Sequence, residues 1–65
     1  MKRATLFVKQ DENPADYDRV VAWLEKWRDT VRVIDYSADQ WEHLWDVEAS
    51  EEALRDIPKT VILPG

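Results

Sequence analysis

The chain has 65 residues, enough for one domain, with 9 basic and 14 acidic side chains and a net charge of −5. A chain of this length buries only about 60% of the surface that its unfolded form exposes, so we expect marginal stability or self-association. It contains no cysteine, which excludes disulfides, thiolate metal sites and thiol redox chemistry. Its apolar runs are far shorter than a membrane span and no apolar leader follows Met1, so we expect a soluble, cytoplasmic protein.

The acidic excess is concentrated in one segment. Residues 35–58 carry a charge of −7, because this segment contains eight acidic residues and a single basic residue, Arg55. Phosphate binding requires clustered lysine and arginine, which this chain lacks beyond its first three residues, so we expect no direct binding of nucleic acid. The acidic segment is typical of a solvated helix face, and the alternative is a patch that attracts a basic protein partner.

The first half of the chain predicts a strand, a helix and a second strand. Residues Ala4–Lys9 are rich in strand formers at consecutive apolar positions, which predicts a central strand covered on both faces. Pro14 suits the first turn of a helix capped by Asn13, and the helix should end near Asp29. Its apolar stripe comprises Tyr17, Val20, Val21, Leu24 and Trp27, with Trp23 on the flank. Val31–Tyr36 then predicts a second strand, parallel to the first in a right-handed βαβ unit.

The second half predicts one more helix and one more strand. Ser37 and Gln40 have the spacing of a capping box, and the apolar stripe of the helix would comprise Ala38, Trp41, Leu44 and Trp45. The helix loosens at residues 47–49 and continues or restarts after Ser50, until Pro58 stops it. Thr60–Leu63 predicts the last strand. The expected fold class is therefore α/β: a three-stranded βαβαβ domain with helices on opposite faces of the sheet.

Two short motifs give this order of elements a resemblance to a known superfamily. Asn13-Pro14-Ala15-Asp16 lies where a first helix follows a first strand, and Ile57-Pro58 precedes the last strand. The chain resembles a truncated member of the thioredoxin and glutaredoxin superfamily that lacks both redox cysteines. The resemblance implies strand order 2-1-3, with the last strand antiparallel to the first, and a cis bond before Pro58. An ordinary doubly wound sheet would keep the last strand parallel, and the sequence does not choose between the two.

No motif in the chain indicates catalysis, a metal or a cofactor. His43 lies between Asp39 and Asp46, but without a cysteine or a second histidine we interpret it as a solvated side chain among acids. Ser37 and Ser50 precede acids or Gln at positions typical of helix caps, which favours capping over nucleophilic catalysis. The only glycine is the last residue, so a glycine-rich phosphate loop is excluded. We therefore expect no enzyme activity, no cofactor and no metal site.

The four tryptophans are the first candidates for a partner-binding site. Within each of the two expected helices they lie four residues apart, so each pair shares a helix face. Burial in a small core is the ordinary interpretation of such large side chains. The alternative is that Trp23 or Trp45 is partly exposed and forms an aromatic patch beside Glu42 and Asp46.

The expected last strand is the second candidate. If no fourth strand covers Thr60 and Ile62, they lie on an open sheet edge, which predicts a homodimer through that edge. We therefore expect a non-catalytic acidic protein-interaction module of thioredoxin-like fold that binds a protein partner or itself. The alternative function is an acidic mimic of nucleic-acid charge that inhibits a DNA-binding protein.

Overall fold

A three-stranded antiparallel sheet carries two helices on one of its faces in this small α+β domain. The computed structural model describes residues 1–63. In chain order, the elements are β1 (Lys2–Lys9), α1 (Pro14–Lys26), β2 (Val31–Asp39), β3 (Glu42–Ala49), α2 (Glu51–Asp56) and a 3₁₀ turn (Lys59–Val61). The strand order is β1-β3-β2, and β3 is antiparallel to both of its neighbours.

The first strand and the first helix form where the sequence predicts them. α1 begins at Pro14, whose fixed φ suits the first helical turn, and Asp16 and Lys26 complement the helix dipole at its two ends. Asn13 precedes the helix without a side-chain capping bond, and the helix ends at Lys26 rather than near Asp29. Neither helix of the described chain is both long and apolar enough to cross a membrane.

Residues 31–49 form a β-hairpin instead of a strand followed by a helix. The predicted helix from Ser37 is wrong, because side chains of residues 42–49 alternate between the two faces of a strand. The inward residues of β3 are His43, Trp45, Val47 and Ala49. A two-residue connection, Gln40 and Trp41, joins β2 to β3, and Gln40 has a positive φ of 51°.

The hairpin overturns the expected βαβαβ topology and with it the thioredoxin-like strand order 2-1-3. β3 takes the central place, so β1 is an edge strand rather than a central strand covered on both faces. Thr60–Leu63 is not a strand, since it holds the end of the 3₁₀ turn and a single bridge between Ile62 and Leu6. The peptide bond before Pro58 is trans.

The core lies between the helices and one face of the sheet. Its buried hydrophobic residues are Leu6, Val8, Val20, Trp23, Trp45, Val47, Ala49, Ala53, Ile57 and Val61. Leu6 lies opposite Trp45 in the β1–β3 register, so both strands present their apolar side chains to the same layer. Both helices pack on this layer, which contradicts the expectation of helices on opposite faces. Ser50 accepts a hydrogen bond from the amide of Ala53 at 3.2 Å, which confirms its predicted role as a helix cap.

Candidate interaction surface

The β2–β3 hairpin exposes apolar side chains on both faces of the sheet. Every residue of β2 after Val31 is exposed, and Trp41 in the turn is 57% exposed. We call this region the hairpin surface and define it by its exposed apolar residues and neighbouring acids: Val33, Ile34, Tyr36, Trp41, Leu44, Asp35, Asp39 and Glu42. Concentrated apolar exposure of this kind on a small domain marks a binding site more often than scattered single residues do.

β2 is also a sheet edge to which no other strand of residues 1–63 pairs. The opposite edge is different, because the end of the chain runs along β1. There Leu6 bridges Ile62, and the amide of Leu63 donates a hydrogen bond to the carbonyl of Thr5 at 3.0 Å. The fold therefore covers one edge in part and leaves the other free for pairing with another chain.

A shallow apolar depression lies on the face of the sheet away from the helices. Phe7, Leu44 and Ser37 are aligned across the three strands, and they line the depression together with Asp39 and Glu42. No helix of residues 1–63 covers this face, because α1 and α2 both pack on the other one. The depression is open at the free edge, so a segment that lies along β2 would reach it.

Asp46, beside the hairpin surface, has an ion pair, whereas the three acids of the surface itself have none within residues 1–63. Asp46 is 2.7 Å from the Arg3 guanidinium, and this hydrogen bond raises the pKa of Arg3. Asp35, Asp39 and Glu42 have no ion pair with any residue of the described chain. Within β2, Asp35 accepts a hydrogen bond from the amide of Tyr36 at 3.0 Å. These three carboxylates therefore lack a direct ion pair in the described chain, although Lys9 lies opposite Glu42 in the β1–β3 register.

Beneath the hairpin, His43 anchors a cluster of aromatic rings. Its Nε2 lies 2.8 Å from Oε1 of Gln10 and its Nδ1 lies 2.7 Å from the hydroxyl of Tyr36. Because the amide oxygen only accepts, Nε2 donates to it, and in the neutral imidazole Nδ1 then accepts from the tyrosine hydroxyl. The rings of Tyr17 and Trp45 pack against the imidazole at centroid distances of 4.5 and 5.7 Å. The interpretation of His43 as a solvated side chain is wrong, since it is buried and holds Tyr36 in place from below.

The structure separates the predicted site residues. Trp23 and Trp45 are 3% and 5% exposed, so the premise that one of them is partly exposed is wrong. Trp23 donates from Nε1 to the carbonyl of Ala53 at 2.7 Å and thereby joins the two helices. Glu42 belongs to the hairpin surface, whereas Asp46 lies near it and forms an ion pair with Arg3.

The second predicted site lies elsewhere, and part of the hairpin surface was missed. Thr60 is exposed and Ile62 half-buried, both beside β1 at the edge opposite the hairpin surface. The sequence reasoning did not single out Tyr36, Ile34 or Trp41 as surface residues. The available signal was Ile34, which breaks the alternation of apolar residues in β2. Tyr36 faces the same side as Val31 and Val33, because the register with β3 shifts between Val33 and Asp35.

Neither the geometry of residues 1–63 nor the comparisons with known proteins indicate a metal site or a catalytic group at this surface. Within residues 1–63, no cluster of three His, Cys, Asp or Glu side chains is placed to hold a metal ion, and no buried side-chain polar atom lacks a hydrogen-bond partner. Comparison with protein-family models, curated proteins and solved structures found no match. Kinship with the thioredoxin superfamily therefore stays an untested prediction, although the strand order expected from it is wrong.

Proposed function

We propose that the chain is a non-catalytic protein-interaction module that binds its partner through the hairpin surface. One observation carries the proposal: β2 is a free edge strand with exposed apolar side chains on both of its faces. Exposing an unpaired edge and aromatic rings to water favours aggregation, so proteins usually blunt or cover such edges. A partner that covers this one removes that liability.

The composition and rigidity of the surface support the same proposal. Tryptophan and tyrosine are enriched among residues that dominate binding energy, and the hairpin surface presents Trp41 and Tyr36. The hydroxyl of Tyr36 is held by His43, so this ring loses little conformational freedom on binding. The amide of Gln10 also donates to the carbonyl of Trp41 at 2.7 Å, which ties the turn to the end of β1.

Site-specific photocrosslinking tests the proposal. One variant carries benzoylphenylalanine at Leu44, inside the hairpin surface. The other carries it at Leu63, which lies beside β1 at the opposite edge of the sheet. The two leucines are matched controls, because they are 36% and 40% exposed. In native lysate we expect a discrete crosslinked partner from position 44 that disappears when Tyr36→Ser and Trp41→Ser are combined. Equal products from both positions, or products from position 63 alone, would contradict the proposal.

An acidic mimic of nucleic-acid charge is the second candidate function. It is favoured by the charge of −7 over residues 35–58, which includes Asp35, Asp39 and Glu42 of the hairpin surface. Ionic strength separates the candidates, because binding by charge mimicry weakens steeply with added salt and contact through apolar rings does not. Crosslinking yield from Leu44 that persists at high salt favours the module. Yield that collapses at high salt but survives the combined Tyr36→Ser and Trp41→Ser substitutions favours the mimic, which does not need the rings.

Two narrower expectations also stay predictions. Residence in the cytoplasm is one. Self-association is the other, although Thr60–Leu63 is not the open edge strand from which it was predicted. Sedimentation of the intact chain over a range of concentrations tests it. A monomer at high micromolar concentration would exclude the dimer.

A further inference from the structure

We infer that the hairpin surface binds a basic, extended segment of another protein, which adds to β2 as a fourth strand. The inference rests on the proposed function, since it names the partner of the same surface. Three features of β2 support it: the state of its outer backbone groups, its like-charge pairs with β3, and the mismatch that a second copy of the chain would present.

The outer backbone groups of β2 are ready for pairing around Tyr36. Its amide donates to the carboxylate of Asp35 at 3.0 Å, which places this N–H on the outer side of the strand. Outward groups recur at every second residue of an antiparallel strand, so Ala38 also presents its N–H and carbonyl outward. The strand is irregular only before this point, where the register with β3 shifts between Val33 and Asp35. Residues 35–39 therefore offer a regular edge to an incoming strand.

The β2–β3 ladder holds two pairs of like charges directly opposite each other. Asp35 faces Asp46, and Asp39 faces Glu42. Opposed like charges destabilise a sheet. Arg3 relieves the first pair through Asp46, and Lys9 lies opposite Glu42 of the second, but no ion pair within residues 1–63 reaches Asp35 or Asp39 themselves. Lysine or arginine on an added strand next to β2 would lie beside Asp35 and Asp39 and relieve both pairs. The carboxylate of Asp35 would then exchange the amide of Tyr36 for a cation, while the new strand supplies a carbonyl to that amide.

A second copy of this chain fits the edge poorly. Two β2 strands related by a twofold axis through Asp35 would place that carboxylate opposite its own copy, and an axis through Ser37 would place it opposite Asp39 of the copy. An axis through Tyr36 avoids both contacts, so there only the net charge opposes pairing. Moving the axis toward Val33 brings the irregular part of the strand into the ladder. Each copy also carries a net charge of −5, which opposes their approach. Charge complementarity therefore favours a basic partner over self-pairing.

Binding of designed peptides tests the inference. The probe is a peptide as long as β2 in which lysine alternates with valine, and NMR follows the amides of the intact chain. We expect the amides of Tyr36 and Ala38 to become protected from hydrogen exchange and the fluorescence of Trp41 to change. Two control peptides replace lysine with glutamate, or keep the lysines and place proline at alternate positions so that no strand forms.

Two sets of variants locate the interaction. Neutralising the hairpin surface with Asp35→Asn, Asp39→Asn and Glu42→Gln should weaken binding of the basic peptide about tenfold. The matched control removes the same charge from exposed acids elsewhere, with Asp18→Asn, Asp29→Asn and Glu52→Gln, and should weaken binding much less. Ala38→Pro removes an outward N–H and should abolish strand addition, whereas Ala38→Val keeps that N–H and should preserve it.

Each outcome decides between the possibilities. Protection at Tyr36 and Ala38 that depends on the three acids supports the inference. Equal binding of the glutamate peptide, or changes confined to the helices, overturns it. If the peptides fail but crosslinking from Leu44 still captures a partner, the basic strand is wrong and the proposed function stands. If both fail, the proposed function fails too. A dimer of the chain that Ala38→Pro dissociates would identify a second copy as the occupant and overturn the inference.

Discussion

At the scale of single residues, the hairpin turn stores backbone strain at Gln40. Its φ of 51° lies in the left-handed region, which costs a residue with a Cβ atom roughly 1–2 kcal/mol and costs glycine far less. Turns of two residues usually place glycine or asparagine at such positions. The turn is held in spite of this by the ladder on one side and by the bond from Gln10 to Trp41 on the other. A residue chosen for turn stability alone would not be glutamine.

The first prediction follows from that strain. Gln40→Gly should raise the free energy of unfolding by about 0.5–1 kcal/mol, because relief of the strained φ exceeds the added entropy of the unfolded chain. Urea unfolding followed by circular dichroism measures the change. Trp41→Gly in the same turn is the control, since this residue has no positive φ, and it should not stabilise the protein. A Gln40→Gly variant no more stable than the parent would show that the turn is unstrained.

The second prediction concerns the hydrogen bond between Tyr36 and His43. Tyr36→Phe leaves the buried Nδ1 of His43 without its donor and should cost about 1 kcal/mol of stability. Tyr17→Phe is the matched control: this ring packs on the same imidazole, but its hydroxyl makes no hydrogen bond within residues 1–63. We expect that control to stay within about 0.5 kcal/mol of the parent in the same urea titration. Equal losses in both variants would indicate that ring packing, not the hydrogen bond, orients Tyr36.

At the scale of elements, α1 and α2 are joined by two indole groups. Nε1 of Trp23 donates to the carbonyl of Ala53, and Nε1 of Trp27 donates to the carboxylate of Asp56, both at 2.7 Å. Lys26 contacts the same carboxylate at 2.9 Å. A helix as short as α2 is unstable alone, so these contacts, together with its buried face, fix it in place.

The third prediction is a pH dependence that arises from this junction. The indole of Trp27 and then the ammonium of Lys26 hold the pKa of Asp56 below its ordinary value. A carboxyl with a lowered folded pKa stabilises the fold above its unfolded pKa of about 4, and this stabilisation is lost as the pH falls through the folded value. Asp56→Asn should therefore flatten the fall in urea midpoint as the pH is lowered below about 4. Asp29→Asn removes an exposed acid outside any ion pair of the described chain and should keep the parental profile. The same slope in both variants would contradict the role of Asp56.

The elements also show which parts of the fold the sequence predicts and which it does not. The start of α1 was predictable because Pro14 and the three- and four-residue spacing act together. The β2–β3 hairpin was not, because its turn lacks glycine and because Trp41, Leu44 and Trp45 fit a helical stripe as well as a strand. The alternation of Trp45, Val47 and Ala49 with Asp46 and Glu48 was the better signal, since a strand buried on one face requires such alternation. A helix in place of this strand misplaces the central strand, the free edge and the hairpin surface together.

At the scale of the whole molecule, the core lies to one side of the hairpin. The buried cluster joins β1, β3 and both helices, whereas β2 contributes only the half-buried Val31 to it. The strand that carries the proposed binding edge is therefore the one that the core stabilises least. Local stability follows burial, so unpaired edges and exposed strands open more often than core strands do.

The last prediction follows from this asymmetry. In the isolated chain, amides of β2 that pair with β3 should exchange with solvent much faster than the amides of Leu6 and Val8, which pair with the same central strand from its other side. Native-state hydrogen exchange measures the difference, and the β1 amides are an internal control because they share β3 as partner. A strand that opens easily adapts to an incoming chain at little cost, and pairing on its outer side should then raise its protection toward that of β1. Uniform protection across the sheet without a partner would mean that β2 is already as stable as the core, and the free edge would then have to be explained without binding.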